Sequence, residues 1–274
     1  MAKDKPLPPT TLDELRAHLA VLKLHAMLEA LDGAIDEANS LKQGYVTFLA
    51  NLIAKELFAR TETAAERRVK TAGFPEVKTF DTFDWTFQPH LNVQLVKDLM
   101  NLQFIPNARC VLVLGKPGTG KSHISTAYGV LAALRGHSVG FYKGTKLLTD
   151  LYATLADGTT ERFIAKLARL DLLIIDDLRG ASPPRAEYAN LMFDLVEARY
   201  RRKATILSSN LAISEWGTKV LCNVPLTAAI VDRLMDGAHV INIRRGKSYR
   251  SEGPEAPPPE ERPELPSGDH DDEP

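Results

Sequence analysis

CVLVLGKPGTGKS, residues 110–122, is a short apolar run that leads into a glycine-rich turn ending in Lys-Ser. The turn matches the phosphate-loop pattern GxxxxGK(S/T) at every fixed position: Gly115, Gly120, Lys121 and Ser122. Glycines let the backbone curl so that successive N–H groups converge on phosphate oxygens, and the following helix adds its positive N-terminal end. The stretch therefore predicts a strand, a phosphate-binding loop and a helix in succession.

Every residue of this loop is predicted to contribute to ATP binding. Lys121 is expected to reach the β- and γ-phosphates, and the hydroxyl of Ser122 to ligate Mg²⁺. A chance match is disfavoured, because an apolar strand before the turn and an Ala-, Ile- and Leu-rich helix after it are the context that the motif requires. The predicted ATP-binding residues are Gly115, Lys116, Pro117, Gly118, Thr119, Gly120, Lys121 and Ser122.

The chain has 274 residues, of which 44% are apolar and 25% charged, so it has room for one large domain and an accessory one. No apolar run reaches the roughly 18 residues that a membrane-spanning helix needs, and the N-terminal residues lack the apolar segment of a signal peptide. We therefore expect a cytoplasmic protein with no membrane partner. Cys110 and Cys222 stand in apolar surroundings without metal-ligand spacing, which predicts two buried thiols.

The net charge of −1 conceals an asymmetry along the chain. Residues 253–274 contain eight acids and one base, which leaves 33 bases against 27 acids, a net charge of +6, over residues 1–252. A basic body admits nucleic acid as a partner. The proline-rich acidic tail, residues 253–274, is expected to be disordered, and either solubility or imitation of nucleic acid would account for it.

Residues 1–75 are predicted to form a small all-α domain that contacts a partner, DNA or another copy of the chain. Residues 11–14, TLDE, have the spacing of a capping box, and the leucine stripe that follows is expected to continue until Gly33 ends the helix. A second stripe at residues 45–53 begins a helix that is expected to reach Gly73.

Residues 76–109 are interpreted as an aromatic-containing linker that wraps onto an α/β domain at residues 110–252. Its aromatic side chains would line an adenine pocket or simply pack. Short apolar runs then alternate with helical ones, which favours a parallel sheet in a three-layer α/β fold. Strands are predicted at residues 111–114, 138–142, 172–175, 205–208 and 240–243, and helices at residues 122–135, 145–156, 161–170, 188–200 and 226–235.

Polar residues follow two of these predicted strands. Asp176 and Asp177 end the run DLLIIDD; Asp176 is expected to hold Mg²⁺ and Asp177 to polarise the attacking water. Asn210 ends the run TILSSN and is expected to orient that water if its strand lies between the other two motifs. The alternative for the two aspartates is helix capping, which the presence of the phosphate loop disfavours. The alternative for Asn210 is an ordinary turn.

Several phrases of the chain, taken in order after its helical N-terminal part, resemble a known family over about residues 10–250. They are FPEVKTFDTFDW, LVLGKPGTGKSH, LLIIDDL, ILSSNLAISEWG, DRLMDGAHVINI and SYR. The chain resembles the IstB-like transposition helper ATPases, AAA+ proteins of the same clade as the DnaC helicase loader and the DnaA initiator. The resemblance implies an AAA+ ATPase domain, ATP and Mg²⁺ as cofactors, and a bacterial source.

The resemblance also implies roles for two arginines. Arg233, in VDRL, falls where the clade has an arginine finger that enters the ATP site of the neighbouring subunit. Arg250, in SYR, falls where the clade has a second sensor arginine; an ordinary surface ion pair is the alternative for both. Asp177 stands where many AAA+ ATPases have Glu, so slow hydrolysis is expected. The predicted catalytic residues are Lys121, Asp177, Asn210, Arg233 and Arg250.

Basic residues around the helices at 145–170 and in two later loops are the predicted DNA contacts. These helices resemble the extra helical element that bends the clade's oligomers into a spiral. Because no base-reading pattern accompanies the cations, contacts to the DNA backbone are expected, with solvated surface as the alternative for each one. The predicted set is Lys143, Lys146, Arg179, Arg185, Arg201, Arg202 and Lys203.

Together these features predict one function and leave two rivals. We expect an ATPase that forms a ring or spiral of identical subunits on DNA, with ATP between subunits, and that recruits a partner transposase. A DnaC-like helicase loader is the nearest alternative and would bind its helicase through residues 1–75. A small-molecule kinase would need an acceptor pocket and a lid, and nothing in the sequence favours it.

Overall fold

A computed structural model describes residues 11–181, 183–243 and 246–249 of the protein. The chain divides into two compact units, Met1–Arg67 and Arg68–Pro274. The described part of the first unit is all-α, and that of the second is α/β, in agreement with the predicted fold class. The domain limit predicted at residue 75 is not tested by this division, because one helix, α3 (Tyr45–Thr71), runs unbroken across the boundary between the units. The predicted disordered tail lies outside the described residues.

Helices α1 (Leu12–Val21), α2 (His25–Ser40) and most of α3 form the first unit. The predicted capping box is confirmed: the Thr11 N–H donates to the Glu14 carboxylate at 2.8 Å, and the Glu14 N–H donates to the Thr11 hydroxyl at 3.3 Å. The predicted helix end at Gly33 is wrong. The chain turns at Lys23, whose φ of 56° is left-handed, and Gly33 lies inside α2, where a glycine is tolerated.

A small apolar core and one buried carboxylate hold the first unit together. Leu19, Leu31, Ala34 and Leu52 are buried against one another. Glu56, 7% exposed, accepts hydrogen bonds from the N–H groups of Ala26 and Met27, at 2.9 and 3.1 Å, and from Arg60 at 2.7 Å. Its carboxylate therefore satisfies two donors of the first turn of α2 that the helix itself leaves unpaired.

The second unit is built on a five-stranded parallel sheet in the order β2-β3-β4-β1-β5. Its strands are β1 (Cys110–Gly115), β2 (Val139–Lys143), β3 (Leu172–Asp176), β4 (Ala204–Ser209) and β5 (His239–Ile243). The three central strands are buried almost throughout, because helices cover both faces, so they appear in the sequence as continuous apolar runs. β4 lies between β3 and β1, which meets the condition on which the predicted role of Asn210 depends.

Helices on both faces give the predicted three layers. One core cluster includes α5 and residues between 72 and 105, and the other includes side chains of α6 to α10. The helices of this unit are α4 (Val93–Leu99), α5 (Lys121–Leu134), α6 (Gly144–Asp157), α7 (Thr160–Arg169), α8 (Glu187–Arg199), α9 (Trp216–Lys219) and α10 (Val224–Met235). The short helices α4 and α9 were not predicted.

Aromatic side chains before β1 pack on α5. The ring centroids of Phe80 and Phe104 lie 4.8 and 6.0 Å from that of Tyr128, and all three side chains are buried. Packing therefore accounts for these two phenylalanines without an adenine pocket.

The two cysteines differ in environment. Burial raises the pKa of the Cys110 thiol to about 11. Cys222 is exposed, so its prediction as a buried thiol is wrong; it lies in a surface turn just after α9, with a left-handed φ of 52°. No helix in the described ranges combines the length and apolar character needed to cross a membrane.

Candidate functional site

The strand register brings three predicted motifs to one edge of the sheet. Leu114 of β1 pairs with Ser209 of β4, and Ile175 of β3 pairs with Leu207 of β4. Three features begin within one residue of these paired positions: the phosphate loop, the sequence Asp176-Asp177 and the exposed Asn210. Because the strands are parallel, all three lie at the same edge of the sheet. The carboxyl edge of a parallel sheet is the usual place for ligand chemistry in α/β folds.

The phosphate loop joins the end of β1 to the start of α5. Gly118 and Gly120 have left-handed φ values of 78° and 91°, which glycine adopts without strain. The Lys116 carbonyl accepts hydrogen bonds from the Thr119 hydroxyl at 2.9 Å and from the Lys121 ammonium at 2.7 Å. The Lys121 ammonium is thus held inside the loop, next to the helix end that favours an anion.

A serine of β4 holds the two aspartates that follow β3. The Ser208 hydroxyl donates to Asp176 Oδ1 at 2.6 Å and accepts a hydrogen bond from the Asp177 N–H at 2.8 Å. Asp177 has a left-handed φ of 54°, a conformation that costs a non-glycine residue about 1–3 kcal/mol. The contact across the strands therefore helps to hold Asp177 in an unfavourable backbone conformation beside Asp176.

The Asp176 carboxylate suits a magnesium ion. Asp176 is 3% exposed, and its Oδ2 has no hydrogen-bond partner among the residues that the structure describes. Ser122 is exposed in the first turn of α5. The described ranges contain no group of three or more His, Cys, Asp or Glu side chains that would hold a metal alone. This donor set fits Mg²⁺, which proteins bind through one or two side chains together with substrate phosphates and water.

Residues 246–249 lie against the phosphate loop. The Tyr249 N–H donates to the Gly118 carbonyl at 2.9 Å. The Gln88 amide donates to the Lys247 carbonyl at 2.6 Å, and its oxygen accepts from the Lys247 N–H at 3.1 Å. Gln88 therefore anchors the chain at Lys247, two residues before this contact. Arg250, the predicted sensor arginine, lies outside the described residues.

Arg233 lies at the other edge of the sheet, in the last turn of α10. Just beyond it, the Asp236 carbonyl accepts a hydrogen bond at 3.2 Å from Arg109, the residue before β1. The Arg233 guanidinium pairs with Glu197 of α8 and lies 4.7 Å from the ring centroid of Phe193. The structure groups Lys121, Ser122, Asp176, Asp177 and Asn210 at one edge and places Arg233 at the opposite edge.

Residues 17–255 match the protein family described as IstB-like ATP binding protein. The chain belongs to this family. The insertion sequence IS21 protein of Pseudomonas aeruginosa, named for ATP binding, is 34% identical over 239 residues, which cover 87% of this chain and 89% of that one. The corresponding insertion sequence IS232 protein of Bacillus thuringiensis subsp. berliner is 33% identical over 237 residues, or 86% and 94% of the two chains.

The α/β unit of this IstB-like protein has the fold of AAA+ domains. A crystal structure of DnaI matches it with a TM-score of 0.51 at 17% sequence identity, over 61% of this chain and 90% of DnaI. At this identity the likeness concerns the fold alone. The predicted family resemblance and the predicted fold class are both confirmed.

Most of the cations predicted to contact DNA are engaged within the IstB-like chain. Lys146 pairs with Asp150, Arg179 with Asp177, Arg201 with Asp236 and Lys203 with Asp171, and Arg185 lies over the ring of Tyr152. Lys143 and Arg202 are exposed and form no ion pair with another described residue. The predicted cations therefore do not form one unpaired basic surface, and their contact with DNA stays a prediction.

Two residues of the site were not singled out from the sequence. Ser208 carried a signal, since it is the first polar residue after the apolar run Ile206-Leu207 and stands level with Asp176, one residue beyond the pair Ile175–Leu207. Gln88 carried none, because its partner Lys247 is 159 residues away along the chain. Only the folded chain brings Gln88 and Lys247 together.

Proposed function

We propose that this IstB-like protein is an ATP-dependent DNA-binding assembly factor that oligomerises on duplex DNA and recruits or activates a partner transposase in the bacterial cytoplasm. The observation that carries the proposal is the separation of the predicted catalytic residues. Lys121, Asp177 and Asn210 lie at the carboxyl edge of the sheet, whereas Arg233 lies at the amino edge. If Arg233 acts on ATP, it acts on the ATP of another copy, so hydrolysis depends on assembly.

In the proposed reaction, water attacks the γ-phosphate of ATP and releases ADP and phosphate. Asp177 polarises the water, Asn210 orients it, and Lys121 stabilises the charge on the β- and γ-phosphates. Ser122 and Asp176 would hold Mg²⁺, which would supply positive charge to the phosphate oxygens. Because the Asp177 carboxylate is one methylene shorter than a glutamate, hydrolysis is slow and acts as a timer for disassembly.

Charge and family membership support the DNA and transposase parts of the proposal. The net charge of +6 over residues 1–252 favours contact with phosphate backbones. Two relatives carry the names of insertion sequences, whose movement requires a transposase. In this proposal ATP-bound subunits assemble along DNA, and hydrolysis releases them once the target is engaged.

The first test is electron microscopy of the full chain with duplex DNA and a non-hydrolysable ATP analogue. Rings or spirals that need both ligands are expected, and Lys121→Ala should abolish them. Persistent monomers under these conditions would contradict the proposal. Selective assembly on single-stranded DNA together with capture of a replicative helicase would favour the helicase-loader alternative.

The second test asks whether Arg233 acts between subunits. Arg233→Ala should lower the hydrolysis rate by about 10³-fold, as loss of an arginine finger does, with ATP affinity retained. Mixing this variant with Asp177→Asn, which keeps the phosphate loop and therefore ATP-dependent assembly, should restore activity, because mixed oligomers contain sites with an intact Asp177 and an intact arginine. Glu197→Gln, which removes only the ion-pair partner of Arg233, is the control and should remain active. Failure of the mixture to recover would refute the assignment.

A further inference from the structure

Three cations on α7 form an exposed basic face that lies outside the predicted DNA contacts. Arg162, Lys166 and Arg169 are spaced so that they lie within about 60° of one another around the helix. All three are exposed, whereas Leu167 and Ile164 on the other side of α7 pack into the core. Arg162, Lys166 and Arg169 are called the α7 basic face below.

Nothing in the described part of the chain neutralises the α7 basic face. None of its three side chains forms an ion pair or a side-chain hydrogen bond with a described residue. The nearby Asp157 carboxylate accepts hydrogen bonds from the hydroxyl and the N–H of Thr159, at 2.6 and 3.2 Å. Glu161 lies about 100° around the helix from Arg162. This face thus differs from Lys146, Arg201 and Lys203, which have carboxylate partners.

The α7 basic face borders a surface groove of about 730 Å³ beside α6. The other described residues that line it are Thr154, Thr159, Phe163 and Ala165, none of which carries a carboxylate. Phe163 also packs against the core cluster, so the groove offers hydroxyls and cations but no free aromatic anchor of the kind that dominates protein–protein contacts. This lining favours a polyanion over an apolar protein segment.

We propose that the α7 basic face binds the phosphates of a duplex DNA backbone, an inference that rests on the proposed function. The three cations span about 10 Å along the helix axis, the rise of about three base pairs. Contacts of this kind set affinity and orientation without reading sequence. The predicted cations that already have carboxylate partners contribute less, because DNA must displace those partners.

The test measures affinity for a 30-base-pair duplex of arbitrary sequence at a series of salt concentrations. The logarithm of affinity falls as the logarithm of the salt concentration rises. Replacing Arg162, Lys166 and Arg169 together by alanine should make this slope shallower by about 2.7, or about 0.9 for each phosphate that the protein no longer neutralises. When salt is raised from 50 to 200 mM, the fold-loss of affinity should therefore be about 40 times smaller for the variant than for the wild type. An unchanged melting temperature and ATP affinity would establish that the variant is folded.

The matched control replaces Arg201, Arg202 and Lys203 by alanine, which removes the same charge elsewhere. It should lower the slope by about 0.9 or less, since Arg201 and Lys203 already have carboxylate partners. The double substitution Arg162→Lys and Arg169→Lys should keep the slope, because a point charge suffices for a phosphate contact. Equal effects of the two triple variants, or an α7 effect confined to single-stranded DNA, would overturn the inference. A wild-type chain that does not bind duplex DNA would overturn the proposed function as well.

Discussion

At the scale of single residues, Ser208 connects β3 and β4, two of the three strands that carry the site. Its hydroxyl touches the buried carboxylate of Asp176 and the N–H of the strained Asp177 at once. Hydrogen bonds to ionised groups are about twice as strong as those between neutral groups, and a buried partner left unpaired costs about 1–3 kcal/mol. Ser208 thus positions two residues whose predicted roles differ.

Ser208→Ala should lower the free energy of unfolding by about 2 kcal/mol and weaken ATP binding in the presence of Mg²⁺. Ser209→Ala is the control in the same strand, since its buried hydroxyl donates to the neutral Leu178 carbonyl at 2.7 Å. It should cost about 1 kcal/mol and leave the Mg²⁺ dependence unchanged. Urea denaturation and ATP titration with and without Mg²⁺ measure both effects; equal results for the two serines would contradict this role of Ser208.

At the scale of elements, the buried side chain of Arg199 joins α8 to α7 and β4. Its guanidinium donates to the carbonyls of Leu167 and Leu170 at 2.6 and 3.0 Å, to the Thr205 hydroxyl at 3.0 Å and to the Ala204 carbonyl. Burial lowers the pKa of Arg199 to about 10. Because two of these carbonyls lie at the C-terminal end of α7, Arg199 anchors the helix that carries the α7 basic face.

Arg199→Met should destabilise the second unit by about 2–4 kcal/mol, because it leaves buried carbonyls without donors. Arg199→Lys should recover little of this loss, since one ammonium cannot replace the planar fork of donors. The exposed neighbour Arg202 is the control, and Arg202→Met should change stability by no more than about 0.5 kcal/mol. Urea denaturation of all three variants measures this; full recovery by lysine would contradict the anchoring role.

At the scale of the whole molecule, stability should depend on pH through Asp171, which joins the starts of three strands. Burial raises its pKa, but the ion pair with Lys203 and the hydrogen bonds from Ser138 outweigh this and lower the pKa from 3.8 to about 2. A folded-state pKa below the unfolded value stabilises the protein above about pH 4, and this contribution disappears as the pH falls towards 2.

Asp171→Asn should therefore destabilise the protein at neutral pH, and the difference from the wild type should shrink as the pH falls from about 4 towards 2. Urea denaturation of both proteins at pH 7 and at pH 3 measures this change. Asp150→Asn is the control, because its ion pair with Lys146 is exposed and joins residues of one helix. A difference between Asp171→Asn and wild type that is the same at both pH values would contradict the assignment.

Much of the α/β unit could be predicted because its signals are local. Buried parallel strands require continuous apolar runs, and the phosphate loop requires glycines at positions with left-handed φ, so both are visible in the sequence. The helix end at Gly33 was mispredicted, since a glycine permits a helix end without requiring one. The exposure of Cys222 was also missed, because apolar neighbours do not determine which side of a turn faces solvent.

The sequence by itself determined the family, the α/β class and the positions of Asp176, Asn210 and the phosphate loop just after predicted strands, because apolar runs show where strands end. Only the tertiary structure decided which side chains are engaged. It paired Arg179 and Lys203 with carboxylates, gave the α7 basic face no ion-pair partner among the residues that the structure describes, and placed Gln88 beside Lys247. Such pairings join residues far apart along the chain, and their distances follow from packing rather than from any local pattern.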